Sequence, residues 1–419
     1  MKVVLNRGII MQIKLEKYAR LIVKTGINLK ENQILVVNSP IECADFAHKI
    51  ATEAYKAGAR DVVVSWNDET LAKIRFDLAP EEVFDEFPHW RQEMYVDYAR
   101  QGAAFVSIAA SDPELFKNVS ADRVARAQKA SSTALKEYRE RLMSNKNPWC
   151  VVSIPTKAWA LKVFPNDNEE IAIDKLWKAI LKTVRVDESN DPVQAWEKHQ
   201  EALEKYKKFM NEHNFHYLKY KNSLGTDLTI ELPDGHIWSS GADYTPEGRP
   251  FIANMPTEEV FTMPKKTGVN GKVFSAKPLN YNGNLIDDFC LTFKDGKVVD
   301  YSAKKGQEVL KKLLEVDEGA AYLGEVALVP FDSPISNLNI LFYNTLFDEN
   351  AACHLALGKA YPTCIQNGER MSKEELEAAG GNDSLVHEDF MIGTADLEVI
   401  GVTKEGKEIQ VFKNGNFVK

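Results

Sequence analysis

Carboxylates and imidazoles recur inside apolar surroundings in the last third of this chain. Glu258 and Glu259 lie in NMPTEEVFTMP, Glu325 in YLGEVALVP, Glu349 and His354 in FDENAACHLALGKAY, and His387 and Asp389 in VHEDFMIG. Apolar neighbours imply burial, and a carboxylate taken out of water must be paired or bound to a metal. Several carboxylates converging on one point would repel, so cations are the natural compensation. Four such stretches together read as a dinuclear metal site.

Each stretch has an ordinary explanation when taken singly. Around Thr257–Val260 the alternation turns one glutamate of the pair inward and leaves open which; a solvated strand edge would look similar. Glu325 is sharper, because it interrupts a strand-like run that is otherwise apolar, and such runs bury side chains on both faces. If Asn350–Gly358 is helical, Glu349 at its start reaches the same centre as His354; a packed core histidine is the blander reading. His387-Glu388-Asp389 reads as a strand with His387 and Asp389 on one face, where i and i+2 can hold one metal. What no ordinary explanation covers is ligand chemistry meeting apolar flanks four times.

The elements that must position these groups fall into two halves. Gln33–Asn38, Asp61–Trp66, Ala103–Ala109 and Trp149–Ile154 are continuous apolar strands separated by helical stretches at Glu42–Ala57, Trp90–Gln101 and Ser120–Asn145. That alternation predicts a doubly wound, mostly parallel sheet in an N-terminal α/β domain, residues 12–214. No GxGxxG follows the first strand and no GxxxxGK[ST] occurs anywhere, so this half reads as a scaffold or substrate gate rather than a nucleotide site. Asp191–Asn214 is a long charged helix joining the halves; its neighbourhood holds His199, His213 and His216, which read as surface histidines. From Phe215 the period switches to two. Phe215–Lys221, Asp227–Leu232, His236–Ser239 and Cys290–Phe293 read as strands, with turns at Asp234-Gly235 and Asp295-Gly296 and a helix at Lys304–Glu315. Residues 215–419 are therefore expected to form an antiparallel-rich α+β domain that carries the metal site.

The totals remove other classes. A 419-residue chain with 44% hydrophobic and 27% charged residues has a sizeable core, and a net charge of −9 argues against nucleic acid or an anionic membrane as partner. Five cysteines, odd in number and far apart, include no CxxC pair, which fits a reducing cytoplasm. No apolar run is long enough to span a bilayer. Met1–Ile10 lacks a long apolar region and a cleavage site, so no signal peptide is expected, and Met11 could serve as an alternative start.

NMPTEEVFTMP, YLGEVALVP, FDENAACHLALGKAY and VHEDFMIG also resemble the motif segments of the aminopeptidase T / AmpS / PepS family of dinuclear metallo-aminopeptidases, and the resemblance extends over nearly the whole chain. It implies metal ligands at Glu259, Glu325, Glu349, His354, His387 and Asp389, with Tyr361 as a catalytic side chain; without the family, Tyr361 is equally a packed aromatic before Pro362. It implies two divalent cations (Zn, Co, Mn or Mg), a homodimer, and release of N-terminal residues from short peptides with a free amino terminus. Within that frame Glu325 is the favoured bridging ligand. A dinuclear hydrolase of another bond lacks a basic cluster to hold phosphate, and a non-catalytic two-lobed binding protein leaves Glu325, His354 and His387 unexplained.

Overall fold

Continuous apolar runs in the first half become the buried strands of a parallel sheet. The computed structural model describes residues 2–117, 119–281 and 284–418; Met1, where the start-of-chain reading begins, and Lys419, where the second expected domain ends, lie outside the described residues. Strands β1 (Ile34–Pro40), β2 (Asp61–Asn67), β3 (Ala104–Ile108) and β4 (Trp149–Val152) alternate with helices that include α1 (Ala44–Lys56) and α2 (His89–Arg100). All pairs are parallel and the order is β2-β1-β3-β4. The order reverses at β1, and right-handed crossovers in opposite directions wind a sheet doubly. Val36 and Phe105 from the sheet pack with Tyr95 and Ala99 of α2. The edge of β4 is extended by residues 253–255, since Val151 N–H donates to Ala253 O (2.7 Å) and Met255 N–H to Val151 O (3.0 Å).

By its packing the chain forms two compact units, residues 1–199 with 242–256, and residues 200–241 with 257–419. The units interleave along the sequence: helix α3 (Pro192–His213) leads from the first into the second, and residues 242–256 return to the first.

The second unit is rich in antiparallel pairing, as the period of two implied. A sheet of nine strands among the described residues contains β5 (Tyr217–Lys221), β6 (Asp227–Glu231), β9 (Val269–Phe274), β10 (Asn284–Lys294) and β11 (Lys297–Lys305), where β7 (Ser239–Ser240) and β8 (Val260–Thr262) intervene in chain order. Asp295 (φ 49°) and Gly296 (φ 84°) form the expected hairpin turn between β10 and β11, with Lys294 opposite Lys297. Both central residues need positive φ there. The Asp234-Gly235 turn closes on Pro233 O, but the strands on either side pair elsewhere. Helix α4 (Gln307–Leu314) follows β11.

A second, five-stranded sheet has the order β14-β13-β12-β8-β7, with β12 (Leu323–Leu328), β13 (His354–Gly358) and β14 (His387–Met391). The structure corrects the helical expectation for Asn350–Gly358: only Glu349–Ala351 forms a single 3₁₀ turn, and His354 begins a strand. Ala and Leu favour helix locally, but β13 is the central strand between β12 and β14, and pairing with both neighbours overrides propensity. All of β12 and β13 are buried. One hydrophobic core takes Leu218, Leu228 and Phe289 from the large sheet and Val326, Leu355 and Phe390 from the small one.

Gly358 ends β13 at φ 104°, and a Cβ there would lie 2.1 Å from Val386 O. Gly358→Ala is expected to cost about 1–3 kcal/mol from backbone conformation alone, before the clash is relieved. A urea or thermal midpoint equal to wild type would show that the strand end relaxes freely.

Candidate metal centre

The register of the small sheet brings distant residues into rows on one face. Glu325, Ala356 and Asp389 lie opposite one another on β12, β13 and β14. The next row is Ala327, His354 and Met391, and on the other side Gly358 faces His387. With strands about 4.8 Å apart, the Glu325 and Asp389 backbones stand roughly 10 Å apart. The alanine between them leaves room for two carboxylates to turn toward each other. Glu259 arrives from the residue before β8, its carbonyl accepting the Ser240 hydroxyl at 2.5 Å. Glu349 follows a short helical turn, Thr345–Asp348, capped by Asn344, whose side chain accepts Leu346 N–H at 3.2 Å.

The imidazoles are oriented by backbone carbonyls. His354 Nδ1 lies 3.1 Å from Ala352 O and His387 Nδ1 lies 2.7 Å from Lys359 O. A carbonyl only accepts, so each Nδ1 carries the proton and each Nε2 faces the carboxylates, as in the second shell of metal-binding histidines. His354 Nε2 is 3.2 Å from Glu259, 3.5 Å from Glu325 Oε1 and 3.9 Å from Asp389. His387 Nε2 is 3.5 Å from Glu325 Oε2 and 3.6 Å from Asp389. Glu325 thus turns one oxygen to each ring. Two ligand groups result, Glu259–Glu325–His354 and Glu325–His387–Asp389, each with its ligand atoms within 4.8 Å of one another and sharing Glu325.

The electrostatics follow from crowding like charges out of water. Burial raises the Glu325 carboxyl above its ordinary range, opposed by its hydrogen bond with His354. Glu349 is pushed well up by burial and then by the charges of Asp389 and Glu259. Burial works against charge on His354, yet hydrogen bonds to Glu259 and Glu325 carry it well above an ordinary histidine; His387 is raised by Asp389 and Glu325 against the same burial. The Tyr361 phenol rises far above its usual value through burial and then through the field of Glu325, Asp389, Glu349 and Glu259. Its ring packs on His387, with centroids 4.7 Å apart.

A divalent cation fits this donor set. Carboxylate oxygens with imidazole nitrogens suit such ions, and Asp389 Oδ1 is buried with no hydrogen-bond partner. Five of the six expected ligand residues fall in the two groups; Glu349 joins neither, but it and Tyr361 lie within the field of Asp389, Glu259 and Glu325. Among the described residues Glu258 joins neither ligand group: its backbone N–H donates to Asn350 Oδ1 at 2.8 Å. Glu388 pairs across to Leu357 on the other face, its carboxyl pushed up to about 8 by burial and by Asp389. His199, His213 and His216 belong to neither group.

Sequence reasoning missed Asn350 and Asp348. Asn350 Nδ2 donates to Leu346 O (3.1 Å) and Glu349 Oε1 (3.3 Å), while its oxygen holds Glu258, so it ties two ligand-bearing segments together. Asp348 accepts backbone N–H groups from Phe342 (2.8 Å) and Asn344 (3.0 Å). The signal was the run Asp-Glu-Asn inside FDENAAC, polar in the middle of an apolar stretch.

A buried carboxylate–imidazole cluster on an antiparallel sheet is a donor set for divalent cations, and similarity to known proteins makes the class a metal-dependent hydrolase. The chain belongs to the M29 thermophilic metalloprotease family, whose model, described as Thermophilic metalloprotease (M29), matches residues 11–417. It is similar to Aminopeptidase 2 of Geobacillus stearothermophilus, 54% identical over 404 residues that cover 96% of this chain and 97% of the relative. Aminopeptidase AmpS of Bacillus subtilis (strain 168) is 49% identical, with 96% of this chain and 98% of that one covered. The solved structure of wild-type AmpT from Thermus thermophilus superposes with a TM-score of 0.91 at 40% identity, covering 97% of this chain and 100% of that one.

The shifts predict a pH signature for the metal-stripped protein. A histidine raised on folding stabilises fully below its unfolded value, about 6.5, and that stabilisation is lost as pH rises through the folded value. A carboxyl raised on folding, as at Glu325 and Glu349, costs stability as pH rises from its unfolded value, 4.5, to its folded one. Both effects have one sign, so melting temperature in chelator should fall from about pH 5 to beyond neutrality, and divalent cation should flatten the trend. A chelator curve that is level or rises would contradict it.

Proposed function

We propose that this metallo-aminopeptidase releases N-terminal residues from short peptides through a dinuclear centre bridged by Glu325. The observation that carries the reading is the shared carboxylate: Glu325 directs its two oxygens to the two imidazoles, and each imidazole has a second carboxylate of its own. Glu259 and His354 would hold one ion, His387 and Asp389 the other, with Glu349 as a further carboxylate ligand. Bound divalent cations supply Lewis acidity there, polarising a scissile carbonyl and making water nucleophilic near neutral pH.

The chain's own residues do the rest. Ala352 O and Lys359 O keep both Nε2 atoms aimed inward. Tyr361, kept protonated by burial and by the surrounding carboxylates, donates its phenol O–H to the oxygen that becomes negative as the carbonyl is attacked. The substrate's free amine, positive in water, is attracted to this carboxylate-rich face. We also propose a homodimer in the cytoplasm; five free, buried cysteines fit a reducing compartment. Among the described residues no helix is long and apolar enough to cross a membrane.

The direct test compares a Leu-peptide, its N-acetyl form and its C-terminal amide, using protein stripped of metal and reloaded with Zn, Co, Mn or Mg. Full activity should need about two cations per chain, since two ligand groups are present. The amide should be cleaved much as the free peptide, whereas acetylation should abolish cleavage. Comparable cleavage of the acetylated peptide would reject the exopeptidase reading.

Tyr361→Phe should lower kcat by roughly 10²–10³-fold with metal content and melting temperature unchanged. A kcat within a few-fold of wild type would reduce Tyr361 to a packing role beside His387.

A further inference from the structure

A peptide held by its first carbonyl and free amine at this centre must send its first side chain into space that opens directly on the ligands, because Cα is one bond from each group. Among the described residues a cleft meets that requirement. It is a small cleft of about 40 Å³, partly open to solvent, and has Glu349 and Asp389 in its wall. Leu279, Leu341, Tyr343 and Met391 supply apolar surface around them. Met391 lies two residues beyond Asp389 on β14, so it shares that strand face.

We propose that this cleft is the subsite for the side chain of the substrate's first residue, and that it takes an uncharged, medium-sized aliphatic group. The inference rests on the aminopeptidase reading given above. The wall is built rather than incidental. Asp348 fixes it from behind by accepting the backbone N–H groups of Phe342 and Asn344. Phe342 and Phe347, both fully buried, stack with centroids 4.6 Å apart. Tyr343 between them sits at φ 55°, a conformation that a non-glycine residue holds only where its surroundings over-determine it. Leu341 and Tyr343 are therefore presented by a rigid turn. Among the described residues that line the cleft there is no cation; of its three carboxylates Asp348 is engaged by backbone N–H groups, and Glu349 and Asp389 would be engaged by metal, so no side chain of the wall offers a counter-charge to a glutamyl or aspartyl group.

The experiment uses full-length, metal-loaded protein and the p-nitroanilides of Gly, Ala, Leu, Phe and Glu. Wild type should favour Leu over Gly by about tenfold or more, since each methylene in a fitted apolar pocket is worth roughly 10–200-fold, and Glu should be slowest. Leu341→Trp fills the cleft. It should cut kcat/KM for Leu by about tenfold or more and leave Gly within about threefold, with metal content unchanged. Leu341→Ala, which empties it, should raise the Phe-to-Ala ratio, and this variant keeps the test open if the Trp variant fails to fold. Equal losses on Gly and Leu in Leu341→Trp, or an unchanged Phe-to-Ala ratio in Leu341→Ala, would overturn the subsite while leaving the aminopeptidase reading intact. Absence of turnover on every substrate by metal-loaded wild type would instead overturn that reading, and the subsite with it.

Discussion

Both histidines of the centre have already used their Nδ1 protons on backbone carbonyls, so the nitrogen each presents to the carboxylates is a lone pair whenever the ring is neutral. Lone pair against carboxylate, with these groups largely buried, is repulsive. Only a proton or a metal ion on Nε2 relieves it. A single pair of unit charges 4 Å apart is worth about 4 kcal/mol at an effective dielectric constant near 20, so carboxylates gathered this closely call for compensating cations. The second unit is built to hold this unfavourable arrangement until a cation arrives. The raised values of Glu325, Glu349, His354 and His387 are its expression.

Strand register does the holding. Three adjacent antiparallel strands place Glu325 and Asp389 in one row, with His354 in the row on one side and His387 in the row on the other. A slip of one residue on β12 or β14 would turn every ligand on that strand into the core. The opposite face opposes such a slip, because Val326, Leu355, Leu357 and Phe390 are buried in the shared core. Hydrophobic packing on one face thus fixes ligand spacing on the other. Ala356, between the two carboxylates, contributes by being small.

Much of this was legible because burial and charge conflict visibly in a sequence. Glu325 stood out by interrupting an apolar run, and His387 and Asp389 by a spacing of two that the strand preserves. The alternation of apolar strands with helices gave the parallel sheet for the same reason: period and continuity are local properties. What stayed hidden depends on contacts between distant residues. Ala and Leu around His354 carry helical propensity, and only β12 and β14 on either side make that segment a strand. Glu258 and Glu259 differ by one position at a strand edge, and residues alone did not choose between them; the approach of Glu259 to His354 is a tertiary fact. The cleft wall joins residues 278–280 to residues 341–345, segments with no shared period, so no pattern announced it.

Glu349 differs from the other ligand candidates in where it is anchored. The strands fix Glu325, His354, His387 and Asp389, whereas Glu349 sits on a turn that also carries Asp348 and Asn350. Asp348 organises Phe342 to Asn344, and Asn350 joins Glu349 to the backbone of Glu258. An ion that draws in the Glu349 carboxylate therefore acts on the same short turn that shapes the cleft wall and that holds the residue before Glu259. Ligand spacing belongs to the sheet, but the shape of the space beside the ligands belongs to this turn. The proposed centre and the cleft wall are joined by three consecutive side chains, Asp348, Glu349 and Asn350, each bonded in a different direction.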